Sequence, residues 1–258
     1  MWHERVIYMG HPVFYIAGHT DALDYATKEL AYRGCTIADT PGKTVTHLLL
    51  PVPSFNAEGA LLGGEKLTPI LELLSRNVTI LCGNPGQCIP AGYKVIDFLQ
   101  DPLYLAENAD ITAHCAVKLA MSKLPMTMRG CHILVVGWGR IGKCLAALLK
   151  NMGANVTVAA RKEQDRAMLT ALGYETESIS NLGYGLLRYD VIFNTVPAKV
   201  LPESATQYCK AGSLKIDLAT QLGIEAEDVI WARGLPNKEA PVSSGKLIAR
   251  TALRFAMI

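Results

Sequence analysis

The stretch VVGWGRIGK, residues 135–143, decides the fold of this chain. The apolar run HILVV before it predicts a strand that is buried on both faces. The segment RIGKCLAALLKNMG that overlaps and follows it has its apolar residues on one helical stripe. A further apolar segment, NVTVAA, then completes a β-α-β unit of about 30 residues. Glycines spaced G-x-G-x-x-G between a strand and a helix predict a dinucleotide-binding turn.

Each glycine of this turn has a separate predicted role. Gly137 permits the tight turn, Gly139 lets the backbone approach a pyrophosphate, and Gly142 lets the helix pack closely on the strand. The start of the helix supplies free N–H groups and the positive end of a dipole. The predicted cofactor-binding residues of the turn are Gly137, Trp138, Gly139, Arg140, Ile141 and Gly142. The alternative is an ordinary α/β turn whose glycines are incidental.

The end of the following strand predicts which dinucleotide binds. NAD enzymes usually carry an acidic residue there, which accepts a hydrogen bond from the ribose 2′-hydroxyl. In this chain Ala160 takes that position, and Arg161 and Lys162 follow. Because a guanidinium can form a paired contact with a phosphate, we expect NADP rather than NAD, with NAD still possible. In the alternative, Arg161 stacks on the adenine without selecting the phosphate.

Later strands of the second half end in polar residues and prolines. Ligands of open α/β sheets bind outside the carboxyl ends of the strands. We therefore expect Asn194, Thr195 and Pro197, after one strand, and Asp217, after the next, to bind the cofactor. The alternative is turn chemistry for Pro197 and a cap for Asp217.

Composition excludes several other classes of function. Of the 258 residues, 50% are hydrophobic and 19% are charged, and the net charge is +2, so sizeable cores can form without a strongly basic surface for nucleic acid. No apolar run is long enough to cross a membrane, and no signal peptide is recognisable. The seven cysteines are odd in number and form no C-x-x-C pair, which favours a reducing, cytoplasmic location and no metal site.

Alternation of strands and helices predicts an α/β fold with parallel sheets in two domains. Residues 1–109 form the first domain, and residues 110–129, with Asp110 as helix N-cap, form a bridging helix and linker. Residues 130–242 form the Rossmann-type cofactor domain. A last helix within residues 243–258 packs back on the first domain.

The chain resembles the dehydrogenase-like subunit of dipicolinate synthase from spore-forming bacteria. The similar stretches are TAHCAVKLAMSKLPMTMRG (112–130), VVGWGRIGK (135–143), GANVTVAAR (153–161), DVIFNTVPAKVL (190–201), IDLAT (216–220) and GLPNKEAP (234–241). The resemblance implies a two-domain arrangement like that of formate dehydrogenase. It also implies nicotinamide-dependent oxidation of a dihydrodipicolinate-type ring to pyridine-2,6-dicarboxylate during sporulation. The flavoprotein-like second subunit of that synthase is the implied partner, and a homo-oligomer is expected.

Two positions depart from the pattern of that family. Where the family has Pro-Thr-x-Glu-Gly, this chain keeps Thr112 but has His114 at the carboxylate position. Where the family continues Arg-Pro-Gly-Gly, this chain has Gln221-Leu222-Gly223. Two other functions therefore stay open: reduction of another keto or imino acid, and cofactor binding without catalysis.

Candidates for a catalytic base lie on the bridging helix. The six histidines are residues 3, 11, 19, 47, 114 and 132, so none follows the glycine turn, which argues against a standard hydroxyacid dehydrogenase. His114, Lys118 and Ser122 share one helix face at intervals of four residues. We expect His114 and Lys118 to act on the proton and Thr112 to bind a carboxylate of a small dicarboxylate-like substrate. The alternatives are a solvated polar stripe and a helix cap.

Overall fold

The computed structural model describes residues 12–257, which form two compact units. The first contains residues 12–107 and 240–257, and the second contains residues 108–239. Both units contain a parallel sheet with helices, as the alternation of strands and helices predicts.

The first unit is built on a five-stranded sheet in the order β2-β1-β3-β4-β5. Leu48, Leu50 and Ile80 are fully buried in its core. Because successive strands are parallel, the chain returns through helices or loops between them. The elements are β1 (Val13–Ile16), α1 (Asp21–Tyr32), β2 (Thr36–Ile37), β3 (His47–Leu49), α2 (Leu67–Leu73), β4 (Thr79–Cys82) and β5 (Lys94–Asp97).

Helix α3 (Pro102–Lys123) begins earlier than the sequence predicts. Asp110, the predicted N-cap, lies inside this helix. The Asp101 carboxylate instead accepts a hydrogen bond from the Tyr104 N–H at 2.8 Å and pairs with Arg254. Asp101 directly precedes a proline at the first helical position, which is a favourable helix start. The boundary between the two units falls within α3, between residues 107 and 108.

The second unit has a six-stranded sheet in the order β11-β10-β9-β6-β7-β8. The first strand of the unit, β6, lies between β7 and β9, so the strand order reverses between β6 and β9, as in a dinucleotide-binding Rossmann fold. The elements are β6 (His132–Val136), α4 (Arg140–Asn151), β7 (Asn155–Ala160), α5 (Glu163–Ala171), β8 (Glu175–Ser178), β9 (Val191–Asn194), α6 (Glu203–Thr206), β10 (Leu214–Asp217), β11 (Val229–Trp231) and α7 (Leu235–Glu239).

The last helix, α8 (Pro241–Ala256), packs against α1 within the first unit. The two helix backbones approach closely at Gly245. A Cβ atom at this glycine would lie 2.5 Å from both the Ala22 carbonyl oxygen and the Tyr25 Cβ. The contact therefore depends on the absence of a side chain at residue 245.

Candidate functional site

The glycine turn lies at the switch point of the second sheet, where β6 passes into α4. Gly137 has a φ of 107°, which favours glycine, and a Cβ there would lie 2.4 Å from the Thr195 Oγ1. A Cβ at Gly142 would lie 2.2 Å from the Gly137 carbonyl oxygen. The first and third glycines are thus required by the packing of the turn, as the sequence pattern predicts.

Gly139, the second glycine, faces open space. It is the N-cap of α4 in ordinary extended geometry, and a Cβ there would meet no atom within 4 Å. In the part of the chain that the structure describes, no side-chain hydrogen bond caps this helix, so its first N–H groups are left for an outside acceptor. The local protein structure therefore does not require glycine here, whereas a phosphate approaching the backbone does.

Thr195 joins the ends of β9 and β6 beneath this turn. Its backbone N–H and its hydroxyl both donate to the Val136 carbonyl oxygen, each at 2.9 Å. The Thr195 hydroxyl therefore links the ends of the two strands, and Gly137 packs directly against it. Pro197, two residues later, is exposed at the same edge.

Asn194 and Asp217, also predicted to bind cofactor, are fully buried and bonded to each other. The Asn194 Nδ2 donates to the Asp217 Oδ2 at 3.0 Å. The same Asp217 carboxylate accepts N–H bonds from Ala219, Gly223 and Ile224 at 2.7–3.1 Å. The Asn194 amide also donates to the carbonyl and accepts from the N–H of Val196. The pair therefore fixes the two loops that follow β9 and β10.

A cleft of about 300 Å³ opens beside the glycine turn. Arg161 and Lys162 line it and are exposed, and neither side chain makes a hydrogen bond or ion pair within residues 12–257. Both cations are thus available to a ligand. The other lining residues are Gly137, Trp138, Ala160, Asp165, Ile179, Val196, Ala198 and Val200.

Aromatic and cationic side chains stand at one side of the turn. The Trp138 ring meets the Tyr174 ring edge-on, with 6.0 Å between centroids. The Lys143 Nζ lies 5.7 Å from the Trp138 centroid, within range of a cation–π contact. These contacts restrict the indole of Trp138 at the edge of the cleft.

The catalytic candidates of α3 have different surroundings. The Thr112 hydroxyl donates to the Asn108 carbonyl oxygen at 2.7 Å, and Thr112 is buried. This hydroxyl therefore already has a hydrogen-bond partner within its own helix. The Lys118 Nζ lies 2.8 Å from the Glu239 carboxylate. The hydrogen bond to Glu239 raises the pKa of Lys118, so the amine is protonated at neutral pH. A protonated, paired lysine does not act as a base.

His114 is the most available of the three candidates. Its side chain is 63% exposed, and the closest charged group is the Asp110 carboxylate, 3.9 Å from Nε2. That distance is too long for a hydrogen bond. The His114 ring is therefore accessible to solvent and to a ligand.

Sequence reasoning missed two residues of this region. Arg166 donates to the carbonyl oxygens of Ala160 and Arg161, and Glu239 neutralises Lys118. The position of Arg166 at the end of the first turn of α5, six residues after the strand end, was a usable signal for the first contact. Glu239 lies 121 residues from Lys118, so only the tertiary structure reveals the second.

Two findings concern features that the described residues do not contain. Within residues 12–257, no group of three or more His, Cys, Asp or Glu side chains is arranged to hold a metal ion. None of the helices described there is long and apolar enough to cross a membrane.

Comparison with known proteins supports this description. A profile of the NAD-binding domain of D-isomer specific 2-hydroxyacid dehydrogenases matches residues 108–206. A dipicolinate synthase subunit of Bacillus subtilis (strain 168) is 24% identical over 241 residues, which cover 83% of this chain and 79% of that protein.

Solved structures give the same result. The crystal structure of the corresponding dipicolinate synthase subunit from Bacillus halodurans has a TM-score of 0.84 at 22% identity, over 96% of this chain and 98% of that one. A transhydrogenase from Sinorhizobium meliloti has a TM-score of 0.70 at 14% identity, over 94% and 92% of the two chains. The predicted resemblance to dipicolinate synthase and the predicted α/β fold with a Rossmann-type NAD-binding domain are both confirmed.

Proposed function

We propose that this chain is a nicotinamide-dependent oxidoreductase that acts on a dihydrodipicolinate-type ring, in line with its resemblance to dipicolinate synthase. The glycine turn carries the proposal. Gly139 faces open space at the uncapped start of α4, in the part of the chain that matches an NAD-binding profile. The N–H groups at this helix start would hold the pyrophosphate, and Gly139 keeps its approach free of a side chain.

We propose NADP as the cofactor. Arg161 and Lys162 line the cleft, and neither side chain pairs with another group within residues 12–257. Ala160 takes the place of the acidic residue that would repel a 2′-phosphate. Asp165 also lines the cleft and favours the free 2′-hydroxyl of NAD. Two cations against one carboxylate leave a net positive lining, which favours the phosphorylated ribose.

The bound nicotinamide would accept a hydride from the ring, and the product would be pyridine-2,6-dicarboxylate. His114 is the proposed group for the accompanying proton, because its ring is exposed and without a hydrogen bond in the described residues. Lys118 is protonated and paired with Glu239, so it is not the proposed base. The proposed partner is a flavoprotein-like subunit of the kind that the resemblance implies, and the proposed assembly is a homo-oligomer.

A second candidate function is cofactor binding without catalysis. The observation that favours it is the engagement of Thr112 with the Asn108 carbonyl oxygen and of Lys118 with Glu239. Neither side chain can take a substrate without giving up an existing contact. In this case the cofactor site is retained, and turnover is absent.

Titration calorimetry with NADPH and NADH tests the cofactor. We expect NADPH to bind more tightly, and the Arg161→Gln variant to lose that preference while it keeps its affinity for NADH. Asp165→Asn is the matched control, because it removes a negative charge from the same cleft and should leave the preference for NADPH intact or larger. Equal affinity of the wild-type chain for both dinucleotides would contradict the assignment of NADP.

Turnover of a dihydrodipicolinate tests the reaction. The purified chain is assayed for pyridine-2,6-dicarboxylate with NADP, alone and together with the flavoprotein-like subunit of dipicolinate synthase. Product formation that falls strongly in His114→Ala but not in Ser122→Ala supports the proposed base. Cofactor binding without product under both conditions supports the non-catalytic role instead.

A further inference from the structure

Arg166 holds the backbone of the turn that carries Arg161. Its Nη1 donates to the Ala160 carbonyl oxygen at 3.0 Å and to the Arg161 carbonyl oxygen at 2.9 Å. Arg166 is half-buried on α5, and its other guanidinium nitrogens make no hydrogen bond or ion pair within residues 12–257. One guanidinium group therefore bridges two successive carbonyls at the wall of the 300 Å³ cleft.

These two carbonyls would otherwise oppose an anion. Each C=O group carries the negative end of its dipole on oxygen, and both groups belong to residues that line the cleft. A doubly charged 2′-phosphate near two uncovered carbonyl oxygens would be repelled. The bond to Arg166 covers both oxygens and places a positive charge behind them.

The hydrogen bond from Arg166 to the Arg161 carbonyl oxygen also limits the orientations of the Arg161 side chain. With its carbonyl oxygen held by Arg166, the backbone of residue 161 is fixed, and its side chain leaves the turn from a defined point. A preorganised guanidinium loses less conformational freedom when it binds a phosphate than one on a mobile turn.

Acidic groups act against this arrangement from the first turn of α5. Glu163 and Asp165 lie there, and Asp165 also lines the cleft. Without the charge of Arg166, the cations Arg161 and Lys162 would be balanced by these two carboxylates. Over residues 161–166, Arg166 thus changes the net charge from zero to positive and adds to the positive lining of the cleft.

We propose that Arg166 is a positioning residue that sets the preference for a 2′-phosphorylated dinucleotide. The inference rests on the proposed NADP-binding function. Arg166 acts through the turn and through the charge it adds, and Arg161 and Lys162 make the contact with the phosphate. A lysine at position 166 keeps the charge and one carbonyl bond, whereas a glutamine keeps a donor and loses the charge.

The test compares dissociation constants for NADPH and NADH in the wild type, Arg166→Gln, Arg166→Lys and Lys150→Gln. Lys150 is the matched control, because its Nζ also donates to two carbonyl oxygens, those of Leu172 and Gly173, but it does not line the cleft. Lys150→Gln therefore removes the same charge and the same kind of contact. Thermal unfolding of each variant is measured in parallel.

We expect Arg166→Gln to reduce the preference for NADPH about tenfold, which is the scale of one charge-assisted hydrogen bond. The affinity for NADH serves as the internal control and should stay within about threefold, since the loss concerns the 2′-phosphate alone. Arg166→Lys should restore most of the preference, and Lys150→Gln should keep all of it.

The failures are distinguishable. A wild-type chain without preference for NADPH overturns the proposed cofactor, and the role of Arg166 with it. A wild-type preference that persists in Arg166→Gln overturns the role of Arg166 alone. A parallel loss of affinity for both dinucleotides in Arg166→Gln, with a lowered melting temperature, also overturns it, because it shows a purely structural role.

Discussion

Replacement of Gly139 by alanine separates cofactor binding from folding. The new Cβ would meet no protein atom within 4 Å, and the residue has φ −81° and ψ −170°, which any amino acid adopts. Replacement of glycine by alanine stabilises the folded state by about 0.4–1 kcal/mol, because it lowers the conformational entropy of the unfolded chain. Glycine is preferred to alanine at an N-cap, and this preference offsets a similar amount. The free energy of unfolding should therefore change by less than about 1 kcal/mol.

Cofactor binding should respond much more strongly to this change. A methyl group at Gly139 occupies the open space through which a pyrophosphate reaches the N–H groups at the start of α4. Loss of one charge-assisted hydrogen bond costs about 1.5–3 kcal/mol, so the dissociation constant should rise at least tenfold. Titration calorimetry with NADPH measures the affinity, and thermal unfolding measures the stability.

Gly142→Ala is the contrasting variant. Its Cβ would lie 2.2 Å from the Gly137 carbonyl oxygen, so α4 or the turn must shift. We expect a loss of about 2 kcal/mol or more in stability, which lowers the melting temperature by about 4–8 °C. Gly139→Ala with wild-type affinity for both nicotinamide dinucleotides would refute the assignment of this turn to the pyrophosphate.

Three further changes test the fold around the site. Burial raises the pKa of Asp190, but the Lys210 hydrogen bond, with others, lowers it below its usual range. Asp190→Asn should therefore cost about 1 kcal/mol at neutral pH. The difference from wild type should be fully present above the ordinary Asp pKa of about 3.9 and should be lost as the pH falls through the depressed pKa. Urea unfolding between about pH 7 and pH 2 measures it, and a difference that stays constant down to the acid end would contradict this. Gly245→Val places a Cβ 2.5 Å from the Ala22 carbonyl oxygen, and urea unfolding should show a loss of about 3 kcal/mol or more in the free energy of unfolding. Wild-type stability of this variant would show that α1 and α8 move apart to accept the side chain. Asp217→Asn replaces one carboxylate oxygen by an NH2 group, which faces the Ala219 N–H in one orientation and the N–H groups of Gly223 and Ile224 in the other. It should cost about 2–4 kcal/mol without changing the NADPH-to-NADH preference, and a changed preference would show direct contact with the cofactor.

The sequence by itself predicted the features that depend on neighbours in the chain. The glycine spacing between HILVV and the helix indicated the turn, because its roles are defined by backbone geometry over six residues. The strand end Ala160-Arg161-Lys162 predicted two cations beside the turn, because these residues follow the strand directly in the chain. The start of α3 was predicted at the wrong residue: Asp110 lies inside the helix, whereas the Asp101 carboxylate accepts from the Tyr104 N–H and pairs with Arg254.

Only the tertiary structure decided which polar side chains remain free. Asn194 and Asp217 are hydrogen-bonded to each other and to backbone groups of the following loops. Lys118 is paired with Glu239 at the end of the second unit. Within residues 12–257, the Arg161 side chain makes no hydrogen bond or ion pair, while Arg166 bonds the carbonyl oxygen of the same residue. A polar side chain is available to a ligand only when no other protein group forms a hydrogen bond or ion pair with it. Such partners often lie far away in the sequence, where no local pattern indicates them.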